Sequence, residues 1–282
     1  MKKFLKWTGI VFGGLIVLIL LAGLVLYPIG KKKLTQSYSN VQVDAVNIPS
    51  DADAVSRGKH VAVIWACTRC HGDDLSGKLI NSDPISGSIP IFGSVPAANL
   101  TSGKGGVGGY YTNLDWVRAI RHGIKPGNQA EVLMFDYSTM SDKDLGDLIA
   151  YLEQAPPVDK NFPPATYGPL IPVFPALGVF MPAARINHQN ISHAIGAVPG
   201  ASADYGRYLF TTCVQCHGES FAHSMKQWKE DDFISTFNTG TLPNGKYFGS
   251  TMSSKTITEM NDTELTALWL YLQNPSTAHA QN

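Results

Sequence analysis

The sequence predicts an all-α chain, with one long apolar helix at the N-terminus followed by two small helical domains of related design. Three observations lead there. Residues 7–27 are apolar apart from Thr8 and carry no charge. Cys67-Thr68-Arg69-Cys70-His71 recurs as Cys213-Val214-Gln215-Cys216-His217, each copy is followed by a glycine, and the two copies use all four cysteines. Helical patterns then recur in the same order around each motif. A chain of 282 residues holding one apolar segment and two such sites fits two small domains better than one large core.

The first element spans about 31 Å at the α-helical rise, enough to cross the hydrocarbon layer. It is longer than the apolar region of a secretory signal, and no A-x-A cleavage site follows it. Residues 1–33 therefore read as an uncleaved transmembrane signal anchor. Lys2, Lys3 and Lys6 before it are matched by Lys31, Lys32 and Lys33 after it, so basic residues alone leave its orientation open. Residues 34–51 read as a linker lifting the first domain off the membrane.

C-x-x-C-H is the attachment signature of c-type haem, in which two thiols form thioethers to the porphyrin and the histidine becomes an axial ligand. Other readings fit less well. A four-cysteine zinc site gives the recurring histidine no task. A redox dithiol needs a βαβ context that this chain lacks. Disulfides across two-residue loops would be strained and would staple almost nothing. The expected cofactors are thus two covalent haems c, held by Cys67, Cys70 and His71 and by Cys213, Cys216 and His217. Attachment of this kind, as known for proteins like this one, occurs outside the cytoplasmic membrane. The N-terminus is then inside, and both haem domains lie on the periplasmic or outer face.

Each domain needs three helices around its haem, a class I cytochrome c-like arrangement. In the first domain, residues 52–155, a helix capped by Asp53 runs through Val61 and Trp65 to Cys67. A long loop over residues 73–112 follows, rich in Gly, Ser and Pro. Its glycine run, residues 102–109, lacks the G-K-[ST] ending of a phosphate loop and reads as a flexible haem-side loop. A middle helix starts near Asp115 and stops at Gly123, with Pro126 beyond. The last helix, residues 144–152, has leucines on one face and Ser141 as its cap. Residues 156–200 hold nine of the seventeen prolines and read as an extended, stiff connector. The second domain, residues 201–275, repeats the series with Asp204 as first cap, a middle helix from Asp232 to Gly240, and a last helix from Glu264 capped by Asn261. The register of its first helix slips by a few residues. Residues 276–282 read as a flexible tail.

The sixth iron ligand is sought among residues in internal register. Met134 pairs with Met252, and Met140 with Met260. Met140 and Met260 directly precede the caps Ser141 and Asn261, the outer position of a hydrophobic staple closing on Leu145 or Leu265. That leaves Met134 and Met252, in the loop between middle and last helices, as ligands opposite His71 and His217. The other histidines fit less well. His122 corresponds to Thr239, His60 and His223 read as exposed or hydrogen-bonded, and His188, His193 and His279 lie in the connector and tail. No catalytic triad, paired carboxylate or further metal cluster stands out.

At these residues the chain resembles a known family, the membrane-anchored dihaem c-type cytochromes related to the cytochrome subunits of bacterial alcohol dehydrogenases. The matching stretches are residues 67–72, Ala98-Asn99-Leu100-Thr101, Trp116 through Gly123, Leu145 through Leu152, Gly168-Pro169-Leu170 and Tyr205 through Leu209. In that family the ligand methionine begins a Met-Pro-aromatic run. Here Phe135 follows Met134 and Ser253 follows Met252. The alcohol dehydrogenase subunits carry three haems, so this chain is not one of them. The resemblance implies an electron carrier rather than an enzyme. Its donor would be a dehydrogenase or a quinol-oxidising complex, and its acceptor an oxidase, reductase or soluble cytochrome. A dihaem peroxidase with one open haem, a dihaem subunit of a haem-copper oxidase, and a haem-bearing sensor or assembly factor are the rivals. Lysine plus arginine balances aspartate plus glutamate at 22 each, which argues against nucleic acid.

Overall fold

A computed structural model describes residues 2–80, 93–179, 181–191, 198–247 and 258–275. It is mostly helical. The first helix, α1 (Lys2–Leu34), is long and apolar enough to cross a membrane from Lys6 onward, and none of its apolar window is covered by protein. It is the one such helix among the described residues.

The helices around the first motif begin with α2 (Ala52–Ile64). Its cap is Asp51 rather than Asp53, the Asp51 carboxylate accepting from the Ala54 amide at 2.8 Å. The helix stops before the motif instead of running into it. Trp65 and Ala66 break it, with Ala66 in the left-handed region at φ 58°, and the motif forms a separate turn, α3 (Cys67–His71). In the second domain α7 (Ala203–His217) is continuous through its motif and is capped by Ser202, not Asp204. The packing glycines of these helices, Gly58 and Gly206, explain the slipped register. Gly58 stands nine residues before Cys67 and Gly206 seven before Cys213. The two extra residues of the first domain are absorbed at the Trp65–Ala66 break.

These glycines matter because the first and last helices of each domain cross closely. α2 packs on α5 (Asp142–Glu153), and α7 on α10 (Asp262–Gln273). A Cβ on Gly58 would meet the Asp147 carbonyl at 1.9 Å, and one on Gly206 the Ala267 carbonyl at 1.9 Å. Ser141 and Asn261 cap the last helices through the amides of Asp144 and Glu264, and Asn261 completes a capping box. The middle helices α4 (Asn113–His122) and α9 (Glu230–Thr239) both stop at a left-handed glycine, Gly123 and Gly240. Three two-residue antiparallel pairs complete the first domain and its surroundings: β1 (Lys78–Leu79) with β3 (Pro96–Ala97), β2 (Gly93–Ser94) with β6 (Thr166–Tyr167), and β4 (Ile124–Lys125) with β5 (Gln129–Ala130). Short helices α6 (Val173–Ala176) and α8 (Phe221–Ser224) lie in the connector and beside the second motif.

One apolar core runs from the helices around the first motif to those around the second. Trp65 packs against Tyr208 where the two halves meet, with ring centroids 5.3 Å apart and the planes tilted by 57°. Two polar contacts flank it. His60 of α2 bonds Glu264 of α10 at 2.8 Å, and the Tyr208 hydroxyl of α7 donates to Asp144 of α5 at 2.5 Å. Residues 60 and 208 occupy the same helix position two after the packing glycine, and residues 144 and 264 the same position three after the cap. The two contacts are therefore images of each other under the internal repeat.

The segment before the first domain is not a free spacer. Val43, Val46 and Ile48 pack against the core, the Tyr38 amide donates to the Asn128 carbonyl at 2.9 Å, and Arg118 donates to the Tyr38 carbonyl at 2.8 Å. Its alternating apolar residues find room because α5 offers Gly146, whose position admits the Asn47 carbonyl. The glycine run is likewise held. Asn99 donates to the Val158 carbonyl at 2.7 Å, the Lys104 amide donates to Asp159, and Gly103 lies against the Val158 backbone. Glycine serves there for close approach to the connector rather than for looseness.

Candidate functional site

The first motif opens onto a cavity of about 350 Å³. Cys67, Cys70 and His71 form one wall, and Met134, Phe135 and Tyr137 lie among the lining residues contributed by the loop before α5. Leu100 and Val107, Trp116 and Ile120 of α4, and Leu148 and Leu152 of α5 supply the apolar sides. Residues 162–165 of the connector form part of the rim. The structure thus brings together all four residues expected at this site.

His71 is held by the backbone. Its Nδ1 lies 2.8 Å from the Ala98 carbonyl oxygen, which can only accept. Nδ1 therefore carries the proton, and Nε2 keeps its lone pair. Burial lowers the His71 pKa, opposed by the hydrogen bond to Ala98 and aided by Lys78, which favours the neutral ring. Ala98 sits there because Asn99 is pinned by Val158 and in turn receives the Thr101 amide and hydroxyl. Gly72 closes α3 at φ 81° and donates to the Thr68 carbonyl, and Gly218 does the same for α7 at φ 70°.

Cys67, Cys70 and Cys213 are not poised as nucleophiles. Burial pushes Cys67 up to about 12 and Cys213 up to about 11, and it raises Cys70 as well. A redox dithiol needs the opposite, a depressed thiol in an electropositive setting. Trp116 lines the cavity, and its buried Nε1 has no hydrogen-bond partner among the described residues. A donor left without an acceptor beside a large apolar cavity fits an occupant that brings its own oxygens.

At the second motif, the His217 ring stacks on Phe221 with centroids 4.2 Å apart, and Phe221 stacks in turn on Phe210. Cys213 is partly buried and Cys216 exposed. Met252 lies outside the described residues. Met140 and Met260 are buried in the core with Leu145 and Leu265. Of the remaining histidines, His193 and His279 lie outside the described residues. His60 joins the domain interface, and His223 is exposed. His122 meets His188, Nδ1 to Nδ1 at 3.1 Å. His188 Nε2 bonds the Ala183 carbonyl, so its Nδ1 accepts and His122 donates. Burial, then the neighbouring His188, pushes His122 down to about 4. Sequence reasoning missed this pair because the partners are far apart in the chain. It also missed the Ala98 carbonyl, a backbone group that carries no residue signature.

No family model matches the chain. It is similar to the fructose dehydrogenase cytochrome subunit of Gluconobacter japonicus, 29% identical over 171 residues that cover 58% of this chain and 34% of that one. It is also similar to the gluconate 2-dehydrogenase cytochrome c subunit of Pantoea cypripedii, 30% identical over 103 residues that cover 34% of this chain and 22% of that one. The chain thus spans only about a third or less of the length of these curated relatives. The similarity is distant, and it is to cytochrome subunits of bacterial dehydrogenases.

Proposed function

We propose that the chain is a membrane-tethered dihaem cytochrome c, an electron carrier with two class I cytochrome c-like domains on the outer face of the cytoplasmic membrane. The observation that carries this reading is the first cavity. Two thiols and an imidazole with a free Nε2 share it with the Met134 thioether, on largely apolar walls. Cys67 and Cys70 would bind the first haem covalently, and His71 and Met134 would hold its iron. Cys213, Cys216, His217 and Met252 would do the same in the second domain. Iron ligated in this way supplies a one-electron couple of raised potential.

The protein's own part is to fix and to exclude. The Ala98 carbonyl sets the His71 ring, and Trp116, Ile120, Leu148 and Leu152 keep water from the cavity. Trp65, Tyr208, His60 and Glu264 hold the two domains at a set separation. The relatives' names favour a dehydrogenase as electron donor. A quinol-oxidising complex is the alternative donor, and an oxidase, reductase or soluble cytochrome is the acceptor. α1 would anchor the chain in the lipid with its N-terminus inside.

Spectroscopy of the purified full chain tests the reading. A methionine-to-iron charge-transfer band in the ferric protein and no carbon monoxide binding after reduction are expected. One high-spin site that binds carbon monoxide would point to a peroxidase-type enzyme instead.

A further inference from the structure

We propose that the connector carries a second membrane contact, with residues 167–179 lying in the outer headgroup layer of the bilayer that α1 crosses. The inference rests on the anchor reading of α1. From Tyr167 to Ala184 the sequence reads YGPLIPVFPALGVFMPAA, without a charge, an amide or an aliphatic hydroxyl. A stiff spacer between soluble domains has no need of so apolar a surface. Part of the segment is used inside, where Ile171 and Pro175 are buried. Leu177 is 60% exposed, Leu170 40% and Val179 38%, and Tyr167 is exposed beside them.

The place of this patch selects its occupant. α6 packs on the end of α1 where the helix leaves the apolar layer. Gly30 admits the Pro172 carbonyl so closely that a Cβ there would stand 1.5 Å from the oxygen. Lys33 donates from Nζ to the Pro175 carbonyl at 2.8 Å. The charge-free stretch of α1 ends at Gly30, and exposed Lys31 and Lys32 follow at the level of the lipid phosphates. Residues 27–33 rise only about 9 Å along the helix, within the thickness of the interfacial layer. A segment fixed to residues 30 and 33 of a transmembrane helix is therefore held in that layer. Short apolar side chains on a frame of prolines, which lack amide donors, can enter it without leaving many backbone groups unpaired.

The test uses the full haem-loaded chain in vesicles of phosphatidylcholine and phosphatidylglycerol containing a photoactivatable phospholipid. Cleavage after Lys160 and Arg185 isolates the segment in one tryptic peptide, residues 161–185. After illumination, lipid adducts are expected on the α1 peptides and on peptide 161–185. They are not expected on the peptides carrying Leu114 or Tyr247, which are exposed elsewhere on the molecule. The double variant Leu170→Glu, Leu177→Glu should lose the adducts on 161–185 while keeping those on α1 and an unchanged haem spectrum. Labelling of α1 with none on 161–185, as when a protein partner covers the patch, overturns the proposal and leaves the anchor standing. Labelling of 161–185 that persists in the double variant also overturns it. Absence of labelling from both peptides overturns the anchor reading together with it.

Discussion

With the Ala98 carbonyl occupying Nδ1, His71 has only Nε2 left to offer, and the cavity that this ring lines also exposes Met134. The residue-scale prediction follows. Met134→Ala should open the first haem, lower its potential and allow carbon monoxide to bind, while the second haem stays six-coordinate. Met140→Ala should leave the spectrum alone and lower stability by about 2–5 kcal/mol, since a fully buried side chain is removed. Carbon monoxide titration and guanidinium unfolding of both variants check the pair. The reverse pattern would reassign the ligand. At this scale much was legible. The motifs named six residues, and the staple position of Met140 separated it from Met134. The Ala98 carbonyl was not legible because every residue carries one, and only the fold chooses which. The His122–His188 pair was hidden for a similar reason, as no local pattern joins positions in α4 and the connector.

At the scale of elements, the helix caps Ser141 and Asn261 and the glycine stops Gly123 and Gly240 could be read directly, because capping is local chemistry. The first helix of each domain could not be placed as well. Asp51 and Asp53 both suit a cap, as do Ser202 and Asp204, and tertiary packing decides between them. The Trp65–Ala66 break depends on seating Trp65 at the domain interface, which periodicity does not reveal. The helix crossings give a sharp test. Gly58→Ala and Gly206→Ala each place a methyl against a carbonyl with no flexible atom to yield. Each should cost about 1–3 kcal/mol, seen as a lower denaturant midpoint, whereas Gly200→Ala, whose added methyl meets nothing closer than 4.0 Å and whose backbone is not left-handed, should cost little. Equal losses at all three sites would contradict the crossing account. The connector shows the limit of composition. Proline content suggested stiffness, but it hid an apolar surface that has meaning only beside α1.

For the whole molecule, the two halves of the repeat meet through contacts that the repeat relates, yet the residues differ, His60 with Glu264 against Tyr208 with Asp144. That difference kept the interface out of the sequence reading and gives it a pH signature. The hydrogen bond to Glu264 raises the His60 pKa, against an opposing effect of burial and with smaller help from Glu259 and Asp144. A raised folded value means the contact stabilises fully below the unfolded pKa of about 6.5, and that part is lost as pH climbs through the folded value. Thermal unfolding of the wild type and His60→Gln should therefore differ most in mildly acidic buffer and converge in alkaline buffer. A gap that widens with pH would contradict the assignment.

The central claim, two covalent haems on one chain, has a direct measurement. The full chain, expressed with haem attachment outside the cytoplasmic membrane, is extracted with acid-acetone and its intact mass recorded. The account predicts the polypeptide mass plus two haems, both surviving extraction. Replacing Cys213 and Cys216 with alanine should remove one of them. A mass showing a single haem, or haem lost to the solvent, would contradict it.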